Sequence, residues 1–167
     1  MKKKIILDAC CGGRMFWFNK NHPNALYIDI RRRPKGFMRV RPNFQVQPDE
    51  IGDFTKLRYK DKSFKLVVWD PPHTIRVGDV ENGVIAQRYG RLMLSNWEVT
   101  LVKGFNECWR VLEDYGVLIF KWGGKDKKIK DILKLFPEQP LFGHTTDNKR
   151  NTHWMCFMKI PLLTNPK

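Results

Sequence analysis

Short apolar runs alternate along this chain with longer segments of helical period. Lys4-Ile5-Ile6-Leu7-Asp8 and Ala25-Leu26-Tyr27-Ile28-Asp29-Ile30 read as buried strands, and Asp49-Glu50-Ile51-Gly52-Asp53-Phe54 reads as a shorter one. Phe64-Lys65-Leu66-Val67-Val68-Trp69-Asp70 is the clearest strand, ended by Pro71-Pro72, which cannot continue a ladder. Over residues 97–112, Leu101, Val102, Phe105, Cys108, Trp109 and Leu112 recur at helical spacing, and Gly116 follows as a stop. Residues 117–120 predict another strand, 127–136 another helix, and 152–158 a last strand. Strands apolar on both faces that alternate with helices predict an α/β sheet covered on both sides. The 167 residues are enough for one domain, expected over 1–160, with a flexible tail at 161–167.

In such sheets ligands bind beyond the carboxyl ends of the strands. Asp8, Asp29, Asp53, Asp70 and Lys121 punctuate those ends and mark the expected site. After the first strand, Ala9-Cys10-Cys11-Gly12-Gly13 supplies small residues that let backbone pass close to a ligand. The G-x-G-x-x-G fingerprint is absent, which counts against a bound pyrophosphate. Asp29 is placed to accept hydrogen bonds from ribose hydroxyls. Asp53 and Phe54 offer a carboxylate to an adenine amino group and a ring to its face. A nucleoside without phosphates fits this set better than a dinucleotide.

Asp70-Pro71-Pro72-His73 is the sharpest motif. Two prolines make a stiff turn that leaves carbonyls unpaired and holds Asp70 at the sheet edge. The Asp70 carboxylate and the Pro71 carbonyl together suit the two hydrogens of an exocyclic amine, whose lone pair is otherwise delocalised into its base. His73 offers a flat ring for stacking.

With these residues the chain resembles class I S-adenosylmethionine-dependent methyltransferases, in the amino-methyltransferase branch with a [DNS]-P-P-[YFWH] motif. The resemblance covers residues 5–159. Phe142-Gly143-His144 and Asn151-Thr152-His153-Trp154 are also similar to segments of small methyltransferase-like proteins of phages and prophages. It implies a Rossmann-like doubly wound sheet of about seven mostly parallel strands with helices on both faces. It also implies S-adenosyl-L-methionine held by Asp8, Ala9, Cys10, Gly12, Asp29, Ile30, Asp53, Phe54 and Asp70, with Asp70, Pro71, Pro72 and His73 as the catalytic turn. The chain departs from the family pattern in its first-motif cysteines and in having His73 after the prolines. The expected activity is methylation of an exocyclic amino group of a nucleic-acid base, adenine N6 in DNA first and RNA next. The alternatives are a catalytically degenerate nucleic-acid-binding module, or a methyltransferase for a small molecule or a protein. A cytosine C5 mechanism needs a nucleophilic cysteine beside the prolines, and there is none.

Charge adds the partner. The 31 Lys and Arg against 17 Asp and Glu leave a net +14, which points to a polyanion such as DNA or RNA. Arg31, Arg32, Arg33, Lys35, Arg39 and Arg41 crowd into eleven residues without an acid. These arm residues, with Arg76, Arg88 and Arg91 from a long polar loop at 74–96 and Lys121 extending the basic edge, are the expected phosphate contacts. That loop is expected to close over substrate or to order on binding. Four cysteines and four histidines lack any metal-ligand spacing, so no metal is expected. No apolar run suits a membrane span or a signal peptide, so a cytoplasmic monomer or homodimer with no membrane partner is expected.

Overall fold

The computed structural model describes residues 4–76, 83–147 and 151–161. The apolar runs form strands β1 (Ile6–Asp8), β2 (Ala25–Asp29), β3 (Glu50–Ile51) and β4 (Phe64–Trp69). Strand β5 (Ile75–Arg76), helix α1 (Val84–Tyr89), strand β6 (Leu92–Met93) and helix α2 (Trp97–Val111) follow. Strand β7 (Leu112–Gly123), helix α3 (Ile129–Leu133) and the hairpin β8 (Phe142–Asp147) and β9 (Thr152–Met158) complete the chain. Seven strands join one sheet in the order β3-β2-β1-β4-β7-β9-β8. Strands β1 to β4 and β7 run parallel, and β9 lies antiparallel between β7 and β8. The chain spreads from β1 first one way and then the other. The carboxyl ends of β1 and β4 are therefore the switch point, where doubly wound sheets bind ligands.

Strand pairing sorts the side chains by face. Leu7, Leu26, Val67 and Leu118 share one face with Trp69, Phe120 and Phe157, and all join one buried core. Helix α2 lays Leu101, Phe105, Cys108 and Val111 on this face. Phe105 stacks on Phe136 at 4.3 Å, and Trp69 stacks on Phe120 at 4.9 Å. Burial of each such ring stabilises the fold by about 2–3 kcal/mol, and the short helix α3 joins the same core through buried Ile132, with Ile129 and Leu133 packed against it.

The α/β class and the mostly parallel seven-stranded sheet are as the sequence predicts. The cover is different. Among the described residues α2 and α3 both pack on the Trp69 face. The opposite face is closed at β1 and β2 by turns that carry Trp17 onto Tyr27 at 5.0 Å. Farther along that face Leu66, Val117, Ile119 and Met158 stay half-buried. The connection from β1 to β2 has Gly12-Gly13 near its start and Pro23 near its end, and turns rather than a helix satisfy it.

Two further differences have local causes. The expected long loop at 74–96 holds β5 and β6, paired as a two-stranded parallel ribbon, with α1 between them, and residues 77–82 lie outside the described residues. Strand β7 begins directly after α2, much earlier than the apolar run at 117–120. Its polar start is held by Tyr115 N donating to Lys159 O and Lys159 N donating to Gly116 O. No described helix is long and apolar enough to cross a membrane. The expected tail, beyond Pro161, lies outside the described residues.

Gly104 lies in α2 where the helix meets the core. A Cβ there would stand 2.6 Å from both Phe54 Cδ2 and Trp69 Cζ2. Helix propensity alone favours alanine by about 1 kcal/mol, while overpacking a filled core costs about 1–3 kcal/mol. Gly104→Ala is expected to lower the urea midpoint, and a raised midpoint would show that Phe54 gives way freely.

Candidate active site

Because β1, β2, β4 and β7 are parallel, Asp8, Asp29, Asp70 and Lys121 arrive at one edge of the sheet. Each acid is met by groups from the loops above. Asp8 is fully buried, and its Oδ2 accepts from Trp17 Nε1 at 2.7 Å. Asp29 Oδ2 accepts from the Gly12 amide at 2.9 Å, and its Oδ1 accepts from the Arg31 amide and Nε. Gly12 takes φ +49°, a conformation that favours glycine, and this aims its N–H at Asp29. A Cβ at Gly13 would run into the Phe44 ring, so its missing side chain lets that ring pack against the first loop.

Asp70 stands one residue beyond β4. Lys121 Nζ lies 2.7 Å from its Oδ2, and His73 Nε2 lies 3.0 Å from its Oδ1. The His73 ring meets Trp122 edge-on at 5.1 Å, and its Nδ1 is buried without a partner among the described residues. His73 is therefore engaged in holding Asp70, in addition to presenting a ring.

Two cavities open at this edge. The larger, about 540 Å³, is lined by Cys10, Asp29, Ile30, Asp53, Phe54 and Pro72, with further walls from α1 and α2. The smaller, about 160 Å³, is lined by Gly12, Phe16, Asp70, Pro71, His73 and Lys121, among others. Cys10, Arg31 and Tyr89 belong to both. Asp8 and Ala9 line neither, and they support the loop from below. Asp53 Oδ1 is used by its own turn, accepting from the Thr55 amide and hydroxyl at 2.8 Å.

The basic residues divide. Arg31 is drawn inward, with its NH1 donating to Gln87 O at 3.3 Å as its Nε holds Asp29. Arg32 donates to Pro48 O, and Arg76 pairs with Asp126 at 2.9 Å. Arg33 pairs through its backbone with Val46, and its side chain lines a third cavity, of about 300 Å³. Arg88 covers Tyr89 at 4.7 Å beside the smaller cavity, while Arg91 lines the larger one. Lys121 sits inside the site rather than along a basic rim. Lys35 is exposed on the arm, as are Arg39 and Arg41.

Asn96, Thr100 and Lys103 of the larger cavity were not among the expected site residues. With Asn96 as its N-cap, they form a polar stripe at helical spacing on α2 that flanks its apolar one. That stripe was the available signal. No described cluster of three His, Cys, Asp or Glu side chains could hold a metal ion.

Charge states follow from these contacts. Burial pushes the Asp8 carboxyl up to about 7, against the Trp17 hydrogen bond and with help from Asp70 and Asp29. Burial also raises Asp70, but hydrogen bonds and charge from His73 and Lys121 outweigh it and hold the carboxyl below its ordinary value. The Cys10 thiol is pushed well up by burial and by Asp29, so it is a poor nucleophile. No protein family model matches the chain, and no curated protein is significantly similar to it.

A carboxyl whose folded value stands above its unfolded value binds its proton more tightly in the folded protein. The Asp8 contribution is thus fully present below about pH 4 and is lost as pH rises through about 7. Asp70, lowered on folding, acts in the opposite sense and only below about pH 4. Burial lowers His153, which makes stability rise with pH near neutrality, so the wild-type slope is a sum. Asp8→Asn isolates the acid: between pH 5 and 8 the wild type is expected to lose on the order of a few kcal/mol relative to the variant. Urea midpoints at both pH values test this, and parallel pH profiles would refute it.

Proposed function

We propose that the protein is an S-adenosylmethionine-dependent methyltransferase acting on an exocyclic amino group of a nucleic-acid base, with adenine N6 in DNA ahead of RNA. The observation that carries this reading is the Asp70-Pro71-Pro72-His73 turn, whose residues line both cavities at the switch point of a doubly wound sheet. A lining that includes one buried acid, one exposed acid and the Phe54 and Tyr89 rings, in about 540 Å³, suits a nucleoside. Asp29 would face the ribose, Asp53 and Phe54 the adenine, and Cys10 and Ile30 the remaining wall. When bound, S-adenosylmethionine supplies an electrophilic sulfonium methyl.

The chain's own residues then act on the acceptor. Asp70 and the Pro71 carbonyl accept the two amine hydrogens, which localises electron density on nitrogen and aims its lone pair. Orientation and charge carry most of the rate. The amine proton leaves to solvent or to Asp70 after transfer. His73 keeps Asp70 from rotating by holding Oδ1. Asp70 lines the smaller cavity rather than an open surface, so a base inside a duplex must be flipped out to reach it.

One observation favours a second reading. Both oxygens of Asp70 already have partners, as they would in a module that binds nucleic acid without turning over. A carboxylate has about four acceptor positions, so an amine can still be received. Tritiated methyl transfer to DNA, to RNA and to no acceptor separates the readings. Asp70 lines the smaller cavity and not the larger one, so Asp70→Ala is expected to lose transfer by about 10²-fold or more while cofactor binding, measured by calorimetry, persists. Cofactor binding without transfer in the wild type favours the binding module, and absence of cofactor binding removes the proposal.

A further inference from the structure

We propose that Lys121 reads the base: with Asp70 it forms a donor–acceptor pair for an amine and its neighbouring ring nitrogen, the edge shared by adenine N6/N1 and cytosine N4/N3. The inference deepens the reading above and rests on it for the role of Asp70. Lys121 Nζ lies 2.7 Å from Asp70 Oδ2, and both residues line the cavity of about 160 Å³. A donor and an acceptor side by side match the spacing of neighbouring groups on one base edge.

An ammonium has three donors, and the Asp70 carboxylate is the one hydrogen-bond acceptor that Lys121 has among the described residues. The Phe16 and Trp154 rings flank Nζ at 5.9 and 5.5 Å and attract its charge without consuming its N–H groups. Donors therefore remain for a ligand in the cavity. A phosphate is a poor candidate, since it would approach the ionised Asp70 as closely as it approached Lys121. A neutral base edge avoids that repulsion.

The pair also selects. With the amine hydrogens on Asp70 and the Pro71 carbonyl, Lys121 meets the adjacent ring position. Adenine and cytosine present an acceptor there, which the ammonium satisfies. Guanine presents N1–H on its pairing edge, so two donors would face each other. Thymine lacks the amine altogether.

The test uses the full chain and single-stranded oligothymidylate carrying one central adenine, 1-deazaadenine, cytosine or guanine. Affinity is read by fluorescence anisotropy at one fixed salt concentration, because phosphate contacts set the baseline. The wild type is expected to bind the adenine strand about tenfold more tightly than the 1-deazaadenine strand. Lys121→Met is expected to bind both at the weaker value, and Lys121→Gln, whose amide still donates, to keep part of the difference. The adenine and cytosine arms identify the base. Equal wild-type affinity for adenine and 1-deazaadenine overturns the inference, as does guanine bound as tightly as adenine. A difference that survives in Lys121→Met does so too. If Lys121→Met fails to fold by circular dichroism, the difference in Lys121→Gln must still shrink. Tritium transfer on the same strands separates the two levels. Discrimination without transfer supports the base-reading pair and removes the chemistry, whereas transfer without discrimination overturns the pair alone.

Discussion

Parallel strands deliver three carboxylates to one sheet edge, and each of them is removed from water. A buried carboxylate is tolerated when it is neutralised, paired or hydrogen-bonded, and the loops above the sheet meet that demand in three ways. Asp8 is driven toward its neutral form by burial and is capped by Trp17, whose ring in turn covers Tyr27. Asp29 collects the Gly12 amide and Arg31, which ties the first loop to the start of the basic arm. Asp70 takes Lys121 and His73. The loop geometry of the site is thus a consequence of satisfying the acids. Removing any one acid would leave a donor without its acceptor, and removing Asp29 or Asp70 would also change a cavity wall.

The same demand reallocates the positive charge. Of the 31 Lys and Arg, several are engaged inside the molecule. Arg14 spans Asp49 and the Tyr27 ring, and Arg110 binds Glu107 and Asp61 while reaching Tyr59 O and Leu57 O. Lys159 donates to Trp109 O and Leu112 O at the far end of the sheet. Such cations are structural cross-links between loops and strands. The long-range positive field comes instead from exposed side chains such as Lys35, Arg39, Arg41, Lys125 and Lys128.

The fold was legible where burial is two-sided. Phe64 to Trp69 and Ala25 to Asp29 announce themselves because both faces of an inner parallel strand must be apolar. Strand β8 was not legible: it lies at the edge and its residues Phe142 to His144 are exposed, so no apolar pattern is required of it. The site was legible as chemistry at strand ends, since Asp29, Asp53 and Asp70 do reach the cavities. It was not legible as allocation. Spacing along the chain cannot say that Lys121 pairs with a residue 51 positions earlier, nor that Arg31 turns inward while Lys35 does not. Those outcomes depend on which acids the sheet buries, a property of strand order.

Arg31 shows how tightly the two cavities are joined. Its guanidinium holds Asp29 through Nε and the Gln87 carbonyl through NH1, so one side chain connects the end of β2 to α1. Helix α1 carries Arg88 and Tyr89, which stand at the smaller cavity, and Tyr89 faces the larger one as well. A group that hydrogen-bonds Asp29 must share it with Arg31 or displace it. Because Arg31 itself lines both cavities, the bonds that neutralise Asp29 also fix a wall shared by the two.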